Sequence, residues 1–210
     1  MKQLEFEVKF FLPDRHFIRK KLLDLGALTR GRLFEMNIRF EDSTKTLIGK
    51  KCLLRLRQDH NATLTFKSPP PEDSQQVKVF NELEVEVSDF QTMKNILESL
   101  GFHCEQVYEK WRETLVLENA HFCLDDMPYG NFLEIEASRE DIQRYARILG
   151  FQWEKRILIN YLAIFEILKN KLNLKFSDVT FDNFKDIDVQ LQNYLTLLES
   201  GDSLDDPASI

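Results

Sequence analysis

The sequence predicts an α+β fold built on a closed antiparallel β-barrel whose interior is charged and whose outside is covered by amphipathic helices. Three observations carry this expectation. Charged and apolar residues alternate along strand after strand, as in LEFEVKF, where Glu5, Glu7 and Lys9 share one face and Leu4, Phe6, Val8 and Phe10 the other. The charge is blocked by strand, acidic or basic, instead of mixed as on a solvated sheet face. Three times a strand carrying Glu-x-Glu leads into an amphipathic helix that stops at Leu-Gly.

Taken in order, LEFEVKF is followed by a helical stripe of Phe17, Ile18, Leu22 and Leu25, with Pro13 and Asp14 as start signals and Gly26 as the stop. Strands are expected at 34–42, 51–59 and 63–68; Arg55 and Arg57 alternate with Leu54 and Leu56, and Lys67 ends the third on the face of Thr63 and Thr65. ELEVEV supplies Glu82, Glu84 and Glu86, then a helix with Ser88 as N-cap and Gly101 as stop. Strands at 108–117 and 121–126 follow, with Lys110 and Arg112 flanking Trp111 and Asp125 sharing parity with Cys123. FLEIEAS places Glu134 and Glu136 on one face, and the helix after it ends at Gly150. The spacing from second glutamate to glycine is similar for Glu86 to Gly101 and Glu136 to Gly150 and longer for Glu7 to Gly26, which suggests an internal structural repeat.

The stretches STKTLIGK, DHNA and SPPPEDSQQ read as loops, the last as a polar, proline-rich rim. The barrel domain is expected over 1–161, a helical C-terminal extension over 162–199 and an acidic, disordered tail over 200–210.

Bulk properties narrow the function. The chain has 210 residues, 43% of them apolar, with 17 phenylalanines, enough for a sizeable core. A formal charge of -7 argues against a general nucleic-acid or anionic-membrane binder, and the absence of a signal-like start or of a run approaching roughly 20 apolar residues leads to a cytoplasmic expectation. Cys52, Cys104 and Cys123 are odd in number and unclustered, so neither a disulfide framework nor a zinc site is suggested. His16, His60, His103 and His121 are scattered and read as surface or capping residues, and DSTKT lacks the glycines of a P-loop.

A barrel lined with acids and bases of both signs is costly if dry, because each unpaired buried ion carries a penalty of several kcal/mol. A highly charged ligand resolves the conflict. The bases suit a polyanion such as a triphosphate, and the carboxylates facing it would repel that polyanion unless divalent cations lay between them.

The ordered set Glu5-x-Glu7-x-Lys9, Arg55 and Arg57, Lys67, the ELEVEV glutamates, Lys110 and Arg112, and LDDMPYGNFLEIE resembles the CYTH or triphosphate tunnel metalloenzyme family, which includes class IV adenylate cyclases, thiamine triphosphatases and inorganic triphosphatases. The resemblance covers residues 1 to about 161. It implies an eight-stranded tunnel in which Lys9, Arg39, Arg55, Arg57, Lys67, Lys110 and Arg112 grip phosphate. It also implies that Glu5, Glu7, Glu134 and Glu136, helped by Asp125 and Glu84, hold Mg²⁺ or Mn²⁺. Glu5, Glu7, Lys9, Glu134 and Glu136 are then the expected catalytic set, and Arg39 and Tyr161 match weaker parts of the pattern. The substrate would be ATP, thiamine triphosphate or tripolyphosphate, with neither nucleic acid nor membrane as partner; a homodimer is compatible with the family.

Among these the DDMPYGNFLEIE segment and the following LGF favour cyclase-type conversion of ATP to cyclic AMP and pyrophosphate. Hydrolysis of thiamine triphosphate or tripolyphosphate is the alternative, and a non-catalytic nucleotide or polyphosphate binder a second one. The extension beyond Tyr161 departs from the compact family form.

Overall fold

A computed structural model describes residues 3–70 and 76–201. Most of the SPPPEDSQQ rim (71–75) and of the acidic tail (202–210) lies outside the described residues. Eight antiparallel strands close into a barrel in the order β1 (Gln3–Phe11), β5 (Lys78–Val87), β4 (Ala62–Ser68), β3 (Leu53–Gln58), β2 (Leu28–Asp42), β6 (Phe102–Leu117), β7 (Ala120–Met127), β8 (Gly130–Glu136) and back to β1. Closure removes the sheet edges and leaves one face of every strand inside.

The register decides which charges meet. Glu7 faces Glu136 and Lys9 faces Glu134 across β1 and β8, while on the other side of β1 Glu7 faces Lys78. Asn37 lies between Arg57 on β3 and Tyr108 on β6, and Glu35 opposes Lys110. Arg112 opposes Asp125.

Outside the barrel, helices cover two stretches of sheet. Ile18 and Leu22 of α1 (Arg15–Asp24), with Ile142, Tyr145, Ala146 and Leu149 of α4 (Arg139–Leu149), bury the outward Val8, Phe10, Leu115, Phe122, Leu124, Leu133 and Ile135. Leu97, Phe90 and Met93 of α3 (Phe90–Ser99) cover Ile38, Phe40 and Leu56 on the β2–β3 side. Asp14 caps α1 as the sequence suggests, but Asp89 and not Ser88 caps α3, because its carboxylate reaches the Thr92 amide at 2.6 Å. The Leu-Gly stops work through backbone geometry: Gly26, Gly101 and Gly150 all take positive φ, at 92°, 94° and 88°.

Two strands run longer than the alternation announces. β2 starts at Leu28 and β6 at Phe102; the added start of β2 pairs with the end of β6 and the added start of β6 with the end of β2, each across a register shift, where strict period-2 patterning is lost. The STKTLIGK loop contains one helical turn, α2 (Thr46–Gly49), whose amides at Leu47 and Ile48 bond the buried Glu41 carboxylate.

The C-terminal extension is less helical than its apolar stripe suggests. After α5 (Tyr161–Leu172) it holds only the four-residue α6 (Phe181–Phe184) and a 3₁₀ turn over Leu191–Leu197. Its backbone is spent on the barrel instead: Val179 exchanges hydrogen bonds with Val107 and Glu109 of β6 at 2.8 and 2.9 Å, which requires extended chain. Ile157 similarly pairs with Lys9 of β1. Ile164, Phe165, Leu168, Val179, Phe184 and Leu191 pack with Tyr108, Tyr129 and Phe132 at the barrel end where β1 finishes and β8 begins.

Candidate active site

The floor of the charged interior is Tyr161, the first residue of α5. Its ring packs edge-on against Phe132 at 5.3 Å, and Lys9 Nζ and Lys110 Nζ lie 5.2 and 5.4 Å from its centre. Its hydroxyl donates to Asp125 Oδ2 at 2.8 Å. Asp125 is completely buried and accepts in addition from Lys110 at 3.1 Å and from both Arg112 Nε and Nη2 at 2.6 and 2.5 Å. Burial alone would raise its pKa, but Arg112 and Lys110 hold it below the ordinary value.

Next along the wall, Lys9 bridges Glu7 at 2.7 Å and Glu134 at 2.8 Å, and Arg112 also pairs closely with Glu134. Lys9 is desolvated yet its pKa is raised, because Glu134 and Glu7 favour the ammonium. Glu134 is held ionised against its burial by Lys9 and Arg112.

Three carboxylates converge beside this network. One oxygen from each of Glu5, Glu7 and Glu136 lies within 4.8 Å of the others. Burial raises Glu5 to about 8, assisted by its neighbours Glu7 and Glu82, and burial likewise raises Glu136. Glu7, although fully desolvated, stays well below the usual range because Lys78, Lys9 and Lys67 surround it. A set of clustered oxygen donors, two of which resist ionisation when left alone, fits a hard divalent cation.

Across the barrel, the β2–β3 wall is arranged differently. Arg55 touches Tyr108 Oη at 3.4 Å and Thr65 Oγ1 at 3.1 Å, and its Nε has no hydrogen-bond partner among the described residues. Arg57 reaches Asp59 at 3.2 Å and Glu84 at 3.8 Å. Asn37 is fully buried with both amide atoms unpartnered among the described residues, and Glu35 Oε2, 3.5 Å from Lys110, accepts no hydrogen bond there. A cavity of about 230 Å³ reaches this wall, bounded by Glu35, Arg57, Arg112, Cys123 and Glu136.

The residues expected from sequence thus divide. Lys9, Arg55, Arg57, Lys67, Lys110 and Arg112 all lie in or against the interior network. Arg39, half-buried beside Arg55, has no ion pair among the described residues. Of the expected acids, Glu5, Glu7 and Glu136 come together. Glu134 and Asp125 are instead engaged by cations, and Glu84 accepts from Thr65 at 2.9 Å. Asn37 shares its face with Arg39 as the sequence suggests, but Lys78, Tyr108 and Glu35 were not singled out as interior residues. Lys78 shares parity with Glu82 and Glu84 but is separated from them by Phe80, and Tyr108 shares it with Lys110, so strand parity was the available signal.

The profile of the CYTH domain matches residues 3–159. The chain belongs to the CYTH family. A Methanocaldococcus jannaschii protein, named as a candidate adenylate cyclase, is 28% identical over 174 residues, covering 82% of this chain and 98% of that one. A Pyrococcus horikoshii protein of solved structure is 30% identical with a TM-score of 0.61, covering 70% of this chain and 91% of the other. A Hippeastrum protein shares the fold at 18% identity and a TM-score of 0.59, covering 80% of this CYTH chain and 96% of its own; it is described as a candidate adenylyl cyclase with a dominant triphosphatase activity. No helix among the described residues is long and apolar enough to cross a membrane.

Proposed function

We propose that this CYTH protein is a divalent-metal-dependent enzyme acting on a triphosphate inside its barrel, with ATP cyclisation to cyclic AMP and pyrophosphate as the leading reaction. The observation that carries the reading is the juxtaposition of the Glu5, Glu7 and Glu136 cluster with a wall of cations whose hydrogen-bonding capacity is only partly used. Glu5, Glu7 and Glu136 would hold Mg²⁺ or Mn²⁺, which when bound neutralises phosphate oxygens and the charge that develops on them.

The chain's own residues supply the rest. Arg55, Arg57, Lys67 and Arg112 bind the triphosphate oxygens and stabilise the leaving pyrophosphate, with Arg39 near enough to Arg55 to assist. Glu134 and Asp125 keep Lys9, Lys110 and Arg112 charged and aimed inward. In cyclisation the ribose 3′-oxygen bonds to the α-phosphorus, the α–β bridging bond breaks, and pyrophosphate leaves. The 3′-hydroxyl proton passes to a carboxylate of the cluster, for which Glu136, whose nearest cation is Arg112 at 3.8 Å, is best placed. The candidate-cyclase name of the M. jannaschii relative supports this choice.

Hydrolysis is the second reading, favoured by the activity described for the Hippeastrum neighbour. There water attacks the terminal phosphorus instead, the bridging bond to that phosphorus breaks, and orthophosphate is released with the diphosphate left behind. Incubating the protein with Mn²⁺ or Mg²⁺ and, separately, ATP, thiamine triphosphate and tripolyphosphate separates the two. Cyclic AMP with pyrophosphate establishes the cyclase, orthophosphate without cyclic nucleotide the triphosphatase, and intact substrates in every tube overturn both.

A further inference from the structure

Lys78 has no part in the expected phosphate-binding set, yet it is built into the carboxylate cluster. It lies opposite Glu7 in the β1–β5 ladder and donates from Nζ to Glu7 Oε1 at 2.7 Å. Its side chain is largely buried, its ammonium stands 4.8 Å from the Phe80 ring centre, and the same Glu7 oxygen is shared with Lys9. Lys67 occupies Glu5 in a parallel way but is anchored a second time by Glu82 at 2.9 Å, and Lys9 is anchored a second time by Glu134. Lys78 has Glu7 as its one carboxylate partner among the described residues.

This asymmetry has a physical consequence. An ammonium seated on a carboxylate oxygen stands where a cation bound by that oxygen would stand, and two cations cannot share one lone-pair direction at short range. Of the three lysines on the cluster, Lys78 gives up least when it leaves, because only one ion pair holds it. Its departure also removes an ammonium from the flank of a polyanion site and frees it to meet phosphate.

We propose that Lys78 is a displaceable internal counter-cation: it occupies Glu7 in the metal-free protein, sets the affinity of the cluster for a divalent ion by competing with it, and turns to the triphosphate once displaced. The inference rests on the reading of Glu5, Glu7 and Glu136 as the cation site and adds a residue that this reading does not assign.

The test is calorimetric titration of chelated, ligand-free protein with Mn²⁺, followed by titration of the Mn²⁺-loaded protein with tripolyphosphate, for the wild type, Lys78→Met and Lys78→Arg. Lys78→Met is expected to bind Mn²⁺ roughly tenfold more tightly or better, the scale of removing one unit charge a few ångströms away, and to bind tripolyphosphate more weakly. Lys78→Arg, which keeps the charge, returns both constants towards the wild type. A lysine that only supports the fold would weaken both ligands when lost, and that outcome, or an unchanged Mn²⁺ affinity in Lys78→Met, overturns the proposal. Failure of the underlying reading looks different: wild-type protein and Glu136→Gln would then show the same weak or absent Mn²⁺ binding. Circular dichroism of each variant with saturating Mn²⁺ establishes that the comparison is made between folded proteins.

Discussion

The two walls of the barrel use similar residues to opposite ends. Along β6, β7, β8 and β1, Asp125 is held by Lys110, Arg112 and Tyr161, and Lys9 is held by Glu7 and Glu134, while Glu136 beside them is left with Arg112 at 3.8 Å. On β2 and β3, Asn37, Glu35 and Arg55 retain buried polar atoms without hydrogen bonds among the described residues, and Arg57 has only the 3.2 Å and 3.8 Å pairs to Asp59 and Glu84. A buried network that is fully satisfied rigidifies a fold, whereas an unsatisfied one costs stability and is kept where a ligand completes it. The Asp125 and Lys9 network is therefore read as the preassembled framework that backs the Glu5, Glu7 and Glu136 cluster, and the β2–β3 wall as surface left open to a ligand.

Substitutions that remove one partner from each wall should separate these roles most widely. Asp125→Ala leaves Lys110 and Arg112 buried beside one another, and denaturant unfolding is expected to show a loss of about 3–5 kcal/mol. A loss under about 1 kcal/mol would mean that the wall is not a framework. Arg57→Ala reverses the pattern, with stability changed by less than about 1 kcal/mol but kcat/KM for the triphosphate substrate reduced roughly tenfold to a hundredfold, the scale of one charged hydrogen bond. Equal stability losses in the two variants would erase the distinction between the walls.

A separate effect comes from pH. In chelated protein, Glu5 has its pKa raised by burial from 4.5 to about 8. A folded-state pKa above the unfolded one gives stability that is fully present below about 4.5 and is lost as pH rises towards about 8. Melting temperature in the presence of chelator should fall across that window, the Glu5→Gln variant should lack that component of the slope, and Mg²⁺ should restore stability to the wild type above pH 8. A Glu5→Gln profile parallel to the wild type would rule the burial argument out. The smallest effect expected is that of Tyr161→Phe, which removes one of several donors to Asp125 and should cost about 1–2 kcal/mol in unfolding free energy; a neutral substitution would show that the floor does not orient the cation network.

Much of this arrangement was legible in the sequence. Alternation fixed which residues of β1, β3, β5 and β8 face inward, because a strand has only two faces, and the same parity located Glu5, Glu7, Lys9, Arg55, Arg57, Glu134 and Glu136. Lys78, with Phe80 between it and the glutamates, was hidden because one apolar residue on the interior face interrupted the charged run. The grouping of Glu5, Glu7 and Glu136 apart from Glu134 and Asp125 depends on side-chain reach between strands, which spacing along one strand does not encode. The extension misled for a related reason: the apolar residues of 181–200 recur at helical intervals, but beyond α6 and the 3₁₀ turn over Leu191–Leu197 that segment forms no regular helix, and its Phe184 and Leu191 are spent on packing against the barrel end.

The most direct test of the account is the linkage between metal and triphosphate. Tripolyphosphate titrated calorimetrically into the protein with and without Mn²⁺ should bind far more tightly with the ion present, and by reciprocity Mn²⁺ should bind more tightly with tripolyphosphate present. Glu136→Gln should weaken that coupling. Tripolyphosphate that fails to bind, or binds equally with and without Mn²⁺, would contradict the assignment of the barrel interior as a joint site for a divalent cation and a triphosphate.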